Sequence, residues 1–261
     1  MAAAPPLGLV AFAARDRVRQ ALQRLPRRRV HVTVTGDLAT FRLALRNALV
    51  DAVVVDLGAG DAAWHAAALA GELPSAAWLG VAAWRAADGP AIDRATRLGL
   101  SDVLADGVDD ALLPSTIARA AFTTRFAAAF ATAPASFRLE RPVQQAAWEA
   151  IVAHGGRPVT TGMVAEGLAV SREHLSRAFA AGGAPNLKRV IDFIRLSAAA
   201  SLAKNPLYDT GDVARVLQFA SASHLATATR RIVGLTPSSL ARLRPAELAE
   251  HFIRGHARSR S

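Results

Sequence analysis

Residues 163–179 read MVAEGLAVSREHLSRAF and residues 212–229 read DVARVLQFASASHLATAT, and these two similar stretches decide the fold of the second half of the chain. Each opens with an apolar residue and a small alanine, breaks, and restarts at a serine of the kind that caps a helix. Leucine occupies the fourth position after each serine. Because a small residue is needed where a second helix crosses the first, each stretch predicts a helix-turn-helix unit.

The sequence around these stretches predicts further helices and no strand. Residues 187–204 would form one long helix between the two units, within an all-helical domain over residues 142–254, and residues 255–261 would form a basic, disordered tail. Predicted helices lie near residues 142–154, 161–168, 172–181, 187–204, 211–217, 222–232 and 238–254. Predicted N-caps are Ser171, Asn186, Asp209, Ser221 and Thr236, with Pro237 in a first helical turn.

Two sets of residues in this region form a recognisable pattern. The connecting segment carries Arg195, Leu196, Ala199 and Leu202, and the second unit carries Ala214, Phe219, Ser221, Ser223, Gly234, Thr236 and Pro237. With these residues, the region from 143 to 242 resembles the DNA-binding domain of the AraC/XylS family of bacterial transcription regulators. The resemblance implies two reading units on one rigid spacer, which enter successive segments of the major groove on one face of the DNA.

The second unit departs from the family pattern. Gln218 stands where the family has glycine, and Leu225, Thr227 and Thr229 stand where it has an aromatic, an arginine and a phenylalanine. Without that arginine, bidentate reading of guanine by the second unit is open to question.

The candidate DNA contacts are polar residues on the second helix of each unit. Arg177 is suited to guanine and Glu173 to the amino group of cytosine, while Arg230 and Arg231 are suited to phosphates; a solvated helix face is the alternative. His174 and His224, at equivalent places, are interpreted as partly buried or groove-edge residues, and no metal site is expected. The full set is Arg172, Glu173, Ser176 and Arg177 in the first unit, and Ser221, Ser223, His224, Thr227, Arg230 and Arg231 in the second.

The first half of the chain alternates short apolar stretches with segments of helical length. Five predicted strands, at residues 7–12, 30–34, 51–57, 76–82 and 101–105, are each followed by a helix, which indicates a doubly wound, five-stranded parallel sheet. This α/β domain is predicted over residues 1–130 and a linker over residues 131–141. Its last helix is predicted to run from about 109 to 130, with Phe122, Phe126 and Phe130 on one face, either as a dimer contact or packed inside the protein.

The order of these elements resembles the receiver domain of response regulators. Asp56 ends the third strand, where that family carries its phosphate-accepting aspartate. The resemblance puts the family's acidic pair at Ala13 and Ala14, its hydroxyl at about Ala82 or Ala83, and its lysine at Asp106. Since Mg²⁺ binding and phosphoryl transfer need those groups, we expect a pseudo-receiver in which Asp56 is a degenerate phospho-acceptor position facing solvent.

One stretch of the first half, VVVDLGAGD at residues 53–61, is similar to the glycine loop of nucleotide-dependent methyltransferases. Such a loop normally follows the first strand and is followed by an acidic residue at the end of the next strand. Here the loop follows the third strand, and the next strand runs into residues 82–85, AAWR. An enzyme using Gly58 and Gly60 is therefore the weakest alternative, and we expect no enzyme activity and no cofactor.

Composition sets the remaining limits. The chain of 261 residues contains no cysteine, which excludes disulfides and thiolate metal sites, and it lacks the signatures of a signal peptide or a membrane helix. A cytoplasmic protein is expected. Of the net charge of +10, +8 falls from residue 132 onward, as in a nucleic-acid-binding domain joined to another module, although the arginine bias of a GC-rich genome would also raise it.

Together these features predict a sequence-specific transcription regulator that binds double-stranded DNA. The first domain would serve oligomerisation, as in a homodimer, or signal input that does not depend on phosphorylation. RNA polymerase or another regulator is a further expected partner, and a membrane is not. The main alternative is a protein-interaction regulator whose DNA-reading units have decayed.

Overall fold

The computed structural model describes residues 4–83 and 89–258. The chain divides into two compact units: an α/β unit within Pro6–Phe122, and a helical unit that contains Thr123–Lys204 and resumes at Tyr208. The α/β unit confirms the predicted fold class. Its elements are β1 (Leu7–Phe12), α1 (Asp16–Gln23), β2 (Val30–Thr35), α2 (Leu38–Asn47), β3 (Ala52–Asp56), α3 (Asp61–Ala68), β4 (Ala77–Ala82), α4 (Gly89–Arg97), β5 (Asp102–Ala105) and α5 (Leu113–Ala120).

The five strands form one parallel sheet in the order β2-β1-β3-β4-β5. Every residue of β3 and β4 is buried, as expected for apolar strands that are covered on both faces. This strand order is the doubly wound arrangement in which the crevice between the carboxyl ends of β1 and β3 is the usual ligand site. The residues that follow β1, β3 and β5 therefore meet at one edge of the sheet.

Each face of the sheet has its own core. On one face, Val18 and Leu22 of α1 and Ile117 of α5 pack against Leu9 and Val54 of the strands. On the opposite face, the ring of Phe41 lies 5.6 Å from that of Phe12 and 6.2 Å from that of Trp78, both edge to face. Burial of these large side chains stabilises the unit by about 1.5–3 kcal/mol each.

The prediction of a single helix over residues 109–130 is wrong. The structure has two helices, α5 and α6 (Phe122–Ala129), separated at Ala121, whose backbone is not helical (φ −51°, ψ 142°). The backbone N–H of Phe122 leaves the helical pattern and donates to the carbonyl of Asp51 at 3.0 Å. All three phenylalanines of the predicted stripe are buried, so they offer no exposed face to a second copy.

The helical unit is built around its longest helix, Leu187–Leu202, which contacts helices that precede it and helices that follow it in the chain. Its core is aromatic: the ring of Phe193 lies 6.1 Å from Phe130, 5.3 Å from Phe137 and 4.6 Å from Phe252. The helices after α6 are α7 (Ala133–Ser136), α8 (Pro142–Val152), α9 (Thr161–Gly167), α10 (Arg172–Ala180), α11 (Leu187–Leu202), α12 (Thr210–Val216), α13 (Ala222–Val233), α14 (Pro237–Leu240) and α15 (Pro245–Arg258).

Two segments differ from the sequence-based expectation. Residues 131–141, predicted as a linker, contain α7, and Phe137 and Leu139 within them are buried, with Phe137 packed in the aromatic core. The helix predicted over residues 238–254 is two helices, and α15 continues to Arg258, into the segment predicted to be a disordered tail; residues 259–261 lie outside the described residues. Among the described residues, no helix is long and apolar enough to cross a membrane.

Candidate nucleic-acid interface

The first helix pair consists of α9 and α10. Helix α9 ends in a Schellman motif, in which the N–H of Val170 donates to the carbonyl of Ala165 at 3.0 Å across Ala169 in the left-handed conformation (φ 54°). Ser171 then caps α10, its hydroxyl oxygen accepting from the N–H of His174 at 3.1 Å. The alanine, the break and the serine of the sequence pattern thus each have a structural role.

The second helix pair, α12 and α13, repeats this geometry. The N–H of Phe219 donates to the carbonyl of Ala214 at 2.7 Å, across Gln218 at φ 57°. Ser221 caps α13 by accepting from the N–H of His224 at 3.0 Å. The predicted caps Asn186 and Asp209 are confirmed as well. Thr236 occupies the predicted N-cap position of α14, with Pro237 in the first turn, although its side chain accepts no capping hydrogen bond.

The two helices that would face DNA have buried inner faces and exposed outer faces. In α10, Leu175 and Phe179 are fully buried, and the four predicted contact residues Arg172, Glu173, Ser176 and Arg177 are all exposed. Within the described part of the chain, neither arginine forms an ion pair with a carboxylate. The Nε of Arg177 makes only a long contact, 3.4 Å, to the carbonyl of Glu173.

In α13, the outer face is exposed but less charged. Ser223, His224, Thr227 and Arg230 are exposed, and the capping Ser221 is exposed at the start of the helix. Arg231 pairs with Asp192 of α11, with its Nη2 at 2.8 Å from the carboxylate. Of the two alternatives for His174 and His224, partial burial is wrong, since both are exposed, and a place at the edge of the groove stays a prediction. The ring of His224 lies edge-on to Phe219 at 5.9 Å.

Arg195 has a positioning role that the sequence reasoning missed. Its Nε and Nη2 both donate to the carbonyl of Leu217, at 3.1 and 2.8 Å, at the end of α12. Its guanidinium carbon lies 3.8 Å from the centre of the Phe219 ring, and burial lowers the pKa of this guanidinium from its ordinary value. The linker-helix pattern identified Arg195, but only the fold shows that it fixes the turn of the second helix pair to α11.

At the carboxyl edge of the sheet, Asp56 is fully buried, so the expectation that it faces solvent is wrong. Arg15, which follows β1, binds it twice: the backbone N–H donates to Oδ2 at 3.0 Å and Nε donates to Oδ1 at 2.7 Å. The Nη1 of Arg15 also donates to Asp106 at 3.0 Å, after β5. The hydrogen bond with Asp56 is the main cause that raises the pKa of Arg15 above its ordinary value.

The same cluster explains the glycine loop. A Cβ on Gly58 would lie 2.6 Å from the guanidinium carbon of Arg15, so a larger residue would force this side chain to shift from its place between the carboxylates. Gly60 has φ 82°, a conformation that glycine adopts readily. The space beside Gly58 is thus filled by an arginine of the same unit. Sequence reasoning missed Arg15, although its place directly after the lost acidic pair was a signal.

Comparisons with known proteins agree with the helical unit. A family model described as "Helix-turn-helix domain" matches residues 164–243. Among solved structures, full-length FixJ from B. japonicum is similar at 16% identity and a TM-score of 0.39, over 92% of this chain and 100% of that chain. A response regulator from Burkholderia pseudomallei with a phosphorylated aspartic acid is similar at 20% identity and a TM-score of 0.35, over 66% of this chain and 97% of that chain. No curated protein matches the sequence.

The matched domain and the sheet order define the class of this protein. Its helical unit contains a helix-turn-helix domain of the AraC type at residues 164–243, and its α/β unit has the strand order of a receiver domain. In the α/β unit, Arg15 lies between the carboxylates of Asp56 and Asp106 at the carboxyl edge of the sheet.

Proposed function

We propose that both helix pairs are helix-turn-helix units and that α10 and α13 enter adjacent segments of the major groove of one DNA duplex. The observation that carries the proposal is the outer face of α10, where Arg172 and Arg177 are exposed and not engaged by a carboxylate of the described chain, while the inner face is buried. Guanidinium groups that are held out on a packed helix are the usual readers of base edges.

The first unit supplies most of the sequence reading. Arg177 is suited to bidentate contact with guanine O6 and N7, and Glu173 to the amino group of a cytosine. Both stand on the same side of α10, one helical turn apart. Each correct pair is worth about 1–3 kcal/mol of discrimination against the wrong base.

The second unit positions the protein on the DNA more than it reads the identity of bases. Thr227 stands where the first unit has Arg177, and its methyl group is suited to the methyl group of thymine. Arg230 is exposed and suited to a phosphate, whereas the charge of Arg231 is partly neutralised by Asp192. Arg195 supports this role by holding the second turn against α11.

The α/β unit serves oligomerisation or signal input without phosphorylation. Asp56 is shielded by Arg15, whose positive charge lies where phosphoryl transfer would need a divalent cation. We expect acetyl phosphate with Mg²⁺ to leave the intact mass of the protein unchanged; a stable phosphoryl adduct on Asp56 would contradict this part of the proposal. Since a regulator acts where the DNA is, the proposal implies a cytoplasmic protein.

The experiment that tests the proposal is footprinting over a library of genomic fragments with wild type, Arg177→Ala, and Arg97→Ala as a charge-matched control on α4 of the other unit. The proposal requires protection of discrete sites, weakened by Arg177→Ala and unaffected by Arg97→Ala. Uniform protection that is abolished by salt and indifferent to Arg177 would favour the alternative, a protein-interaction regulator with decayed reading units.

A further inference from the structure

The edge strand β2 is unusual because its sequence contains none of the residues that usually prevent an edge from pairing with a further strand. Its six residues, VHVTVT, contain no lysine, acid or proline, and β2 pairs with β1 on one side only. The carbonyls of Arg29 and Thr35 accept from the β1 side, at 2.8 and 3.0 Å. The backbone groups of successive residues point to opposite sides of a strand, so the N–H groups of Val32 and Val34 point away from β1. A strand edge with such outward groups is a template for a further strand.

The space beside this edge has the shape for an added strand. A groove of about 430 Å³ runs along the face of the sheet that α1 covers, where Leu22 and Leu25 are buried and Val32 and Val34 are half-buried. On the opposite face a second groove of about 290 Å³ is lined by His31, Thr33 and Leu43. Alternate side chains of an added strand would thus find a largely apolar groove on either face of the sheet.

The charge at the end of the strand indicates the occupant. Arg27, Arg28 and Arg29 directly precede β2, and Arg24 follows the last residue of α1. All four are exposed, and within the described part of the chain none forms an ion pair. The groove itself is apolar, which does not suit a nucleic acid, whereas an acidic polypeptide would neutralise the rim and fill the groove.

We propose that the β2 edge is a docking site for an extended segment of a partner protein, which adds to the sheet as a sixth strand. The segment would carry acidic residues at the end that meets Arg27, Arg28 and Arg29, and apolar residues at alternate positions after them. Main-chain hydrogen bonds to Val32 and Val34 give affinity, and the arginines and the apolar groove give selectivity. The site shares no residue with the helices proposed to read DNA and does not depend on the proposed DNA binding.

The test uses the full chain and a fluorescein-labelled peptide with three acidic residues followed by alternating valine and threonine. A control peptide has the same sequence with methyl groups on alternate backbone nitrogens, so that it cannot pair with a strand edge. Binding is followed by fluorescence anisotropy at low salt. We expect wild type to bind the first peptide and not the second.

Two protein variants and one control variant complete the experiment. Arg27→Glu/Arg28→Glu/Arg29→Glu should weaken binding by about tenfold or more, while Arg97→Glu should not. Val32→Pro should abolish binding, because it removes an outward N–H that β1 does not use and proline is tolerated there on an edge strand. If Val32→Pro does not fold, the methylated peptide still decides the question.

Three results would overturn the proposal. The first is equal binding of both peptides, which would exclude strand pairing. The second is a lack of peptide binding together with a reduced DNA affinity of the triple variant, which would mean that the arginines bind nucleic acid. The third is a wild-type dimer that dissociates on Val32→Pro, which would make the occupant a second copy of this chain.

Discussion

The carboxyl edge of the sheet and the outer face of α10 are both places where the sequence resembles a known site, and they differ in how their charges are satisfied. At the sheet edge, Arg15, Asp56 and Asp106 are bound to one another, and Asp56 is fully buried. On α10, Arg172 and Arg177 are exposed, and no ion pair engages them within the described chain. The first site is closed by its own side chains, and the second remains available to a partner.

The difference teaches that burial separates a structural charge from a binding charge. A carboxylate removed from water must be paired, and Arg15 supplies the pair from within the same unit. An exposed guanidinium is stable in water without a partner and can exchange that water for a base or a phosphate. Changes at the first site should therefore affect folding, and changes at the second should affect DNA binding.

The largest expected effect is on the stability of the α/β unit. Arg15→Ala leaves Asp56 buried without its cation, and we expect the free energy of unfolding to fall by about 3–5 kcal/mol. Urea titration followed by circular dichroism measures it. Arg15→Ala/Asp56→Asn should recover a substantial part of the loss, because no charge is then stranded. Equal midpoints for wild type and Arg15→Ala would show that the pair does not stabilise the unit.

A smaller effect is expected on α10, and there it should appear in binding alone. Arg177→Ala should weaken binding to a selected DNA site by about 1–3 kcal/mol without changing the urea midpoint. Thr227→Ala, the equivalent change on α13, should cost less than this, since no charge is lost. Titration of labelled duplex measures both variants. A larger loss for Thr227→Ala would reverse the assignment of the main reading helix.

The ion pair between Asp192 and Arg231 is intermediate between the two sites, because its arginine is exposed and yet paired. Asp192→Asn frees Arg231 for a phosphate, so the slope of log affinity against log salt concentration should steepen by nearly one unit. Glu250→Asn, which breaks the exposed pair with Arg254, is the control for loss of a carboxylate. An unchanged slope for Asp192→Asn would mean that Arg231 stays away from the DNA.

The smallest expected effect concerns the turns that the two helix pairs share. Gln218→Gly and Ala169→Gly each relieve a left-handed backbone conformation, and each should raise the free energy of unfolding by about 0.5–1 kcal/mol. DNA affinity should not change, because neither turn carries a reading residue. Thermal unfolding measures both variants. If either change lowered the stability, the contacts of the replaced side chain would stabilise the protein by more than the left-handed conformation costs.

The fold could be predicted from the sequence wherever local signals agree with packing. Apolar runs such as Val53 to Val55 indicated buried strands, and Ser171 and Ser221 marked the starts of α10 and α13, which begin one residue later. The break at Ala121 could not be predicted, because no proline or glycine marks it and the partner of Phe122 is the distant carbonyl of Asp51.

The candidate sites likewise have features that the sequence predicts and features that only the folded chain shows. Exposure of Arg172 and Arg177 follows from helical periodicity alone, and the structure agrees with it. The pairing of Arg15 with Asp56, and of Arg231 with Asp192, joins residues about 40 positions apart, and only the folded chain brings them together. The role of Arg195 at the end of α12 was out of reach for the same reason.

The most direct test of the account is selection of random duplex DNA by the purified full chain, followed by sequencing, for wild type and Arg177→Ala. The account predicts that wild type enriches a motif with one strongly specified half, and that Arg177→Ala loses the preference at a guanine within that half and keeps the rest. Enrichment of no motif by wild type, or identical motifs for the two proteins, would contradict it.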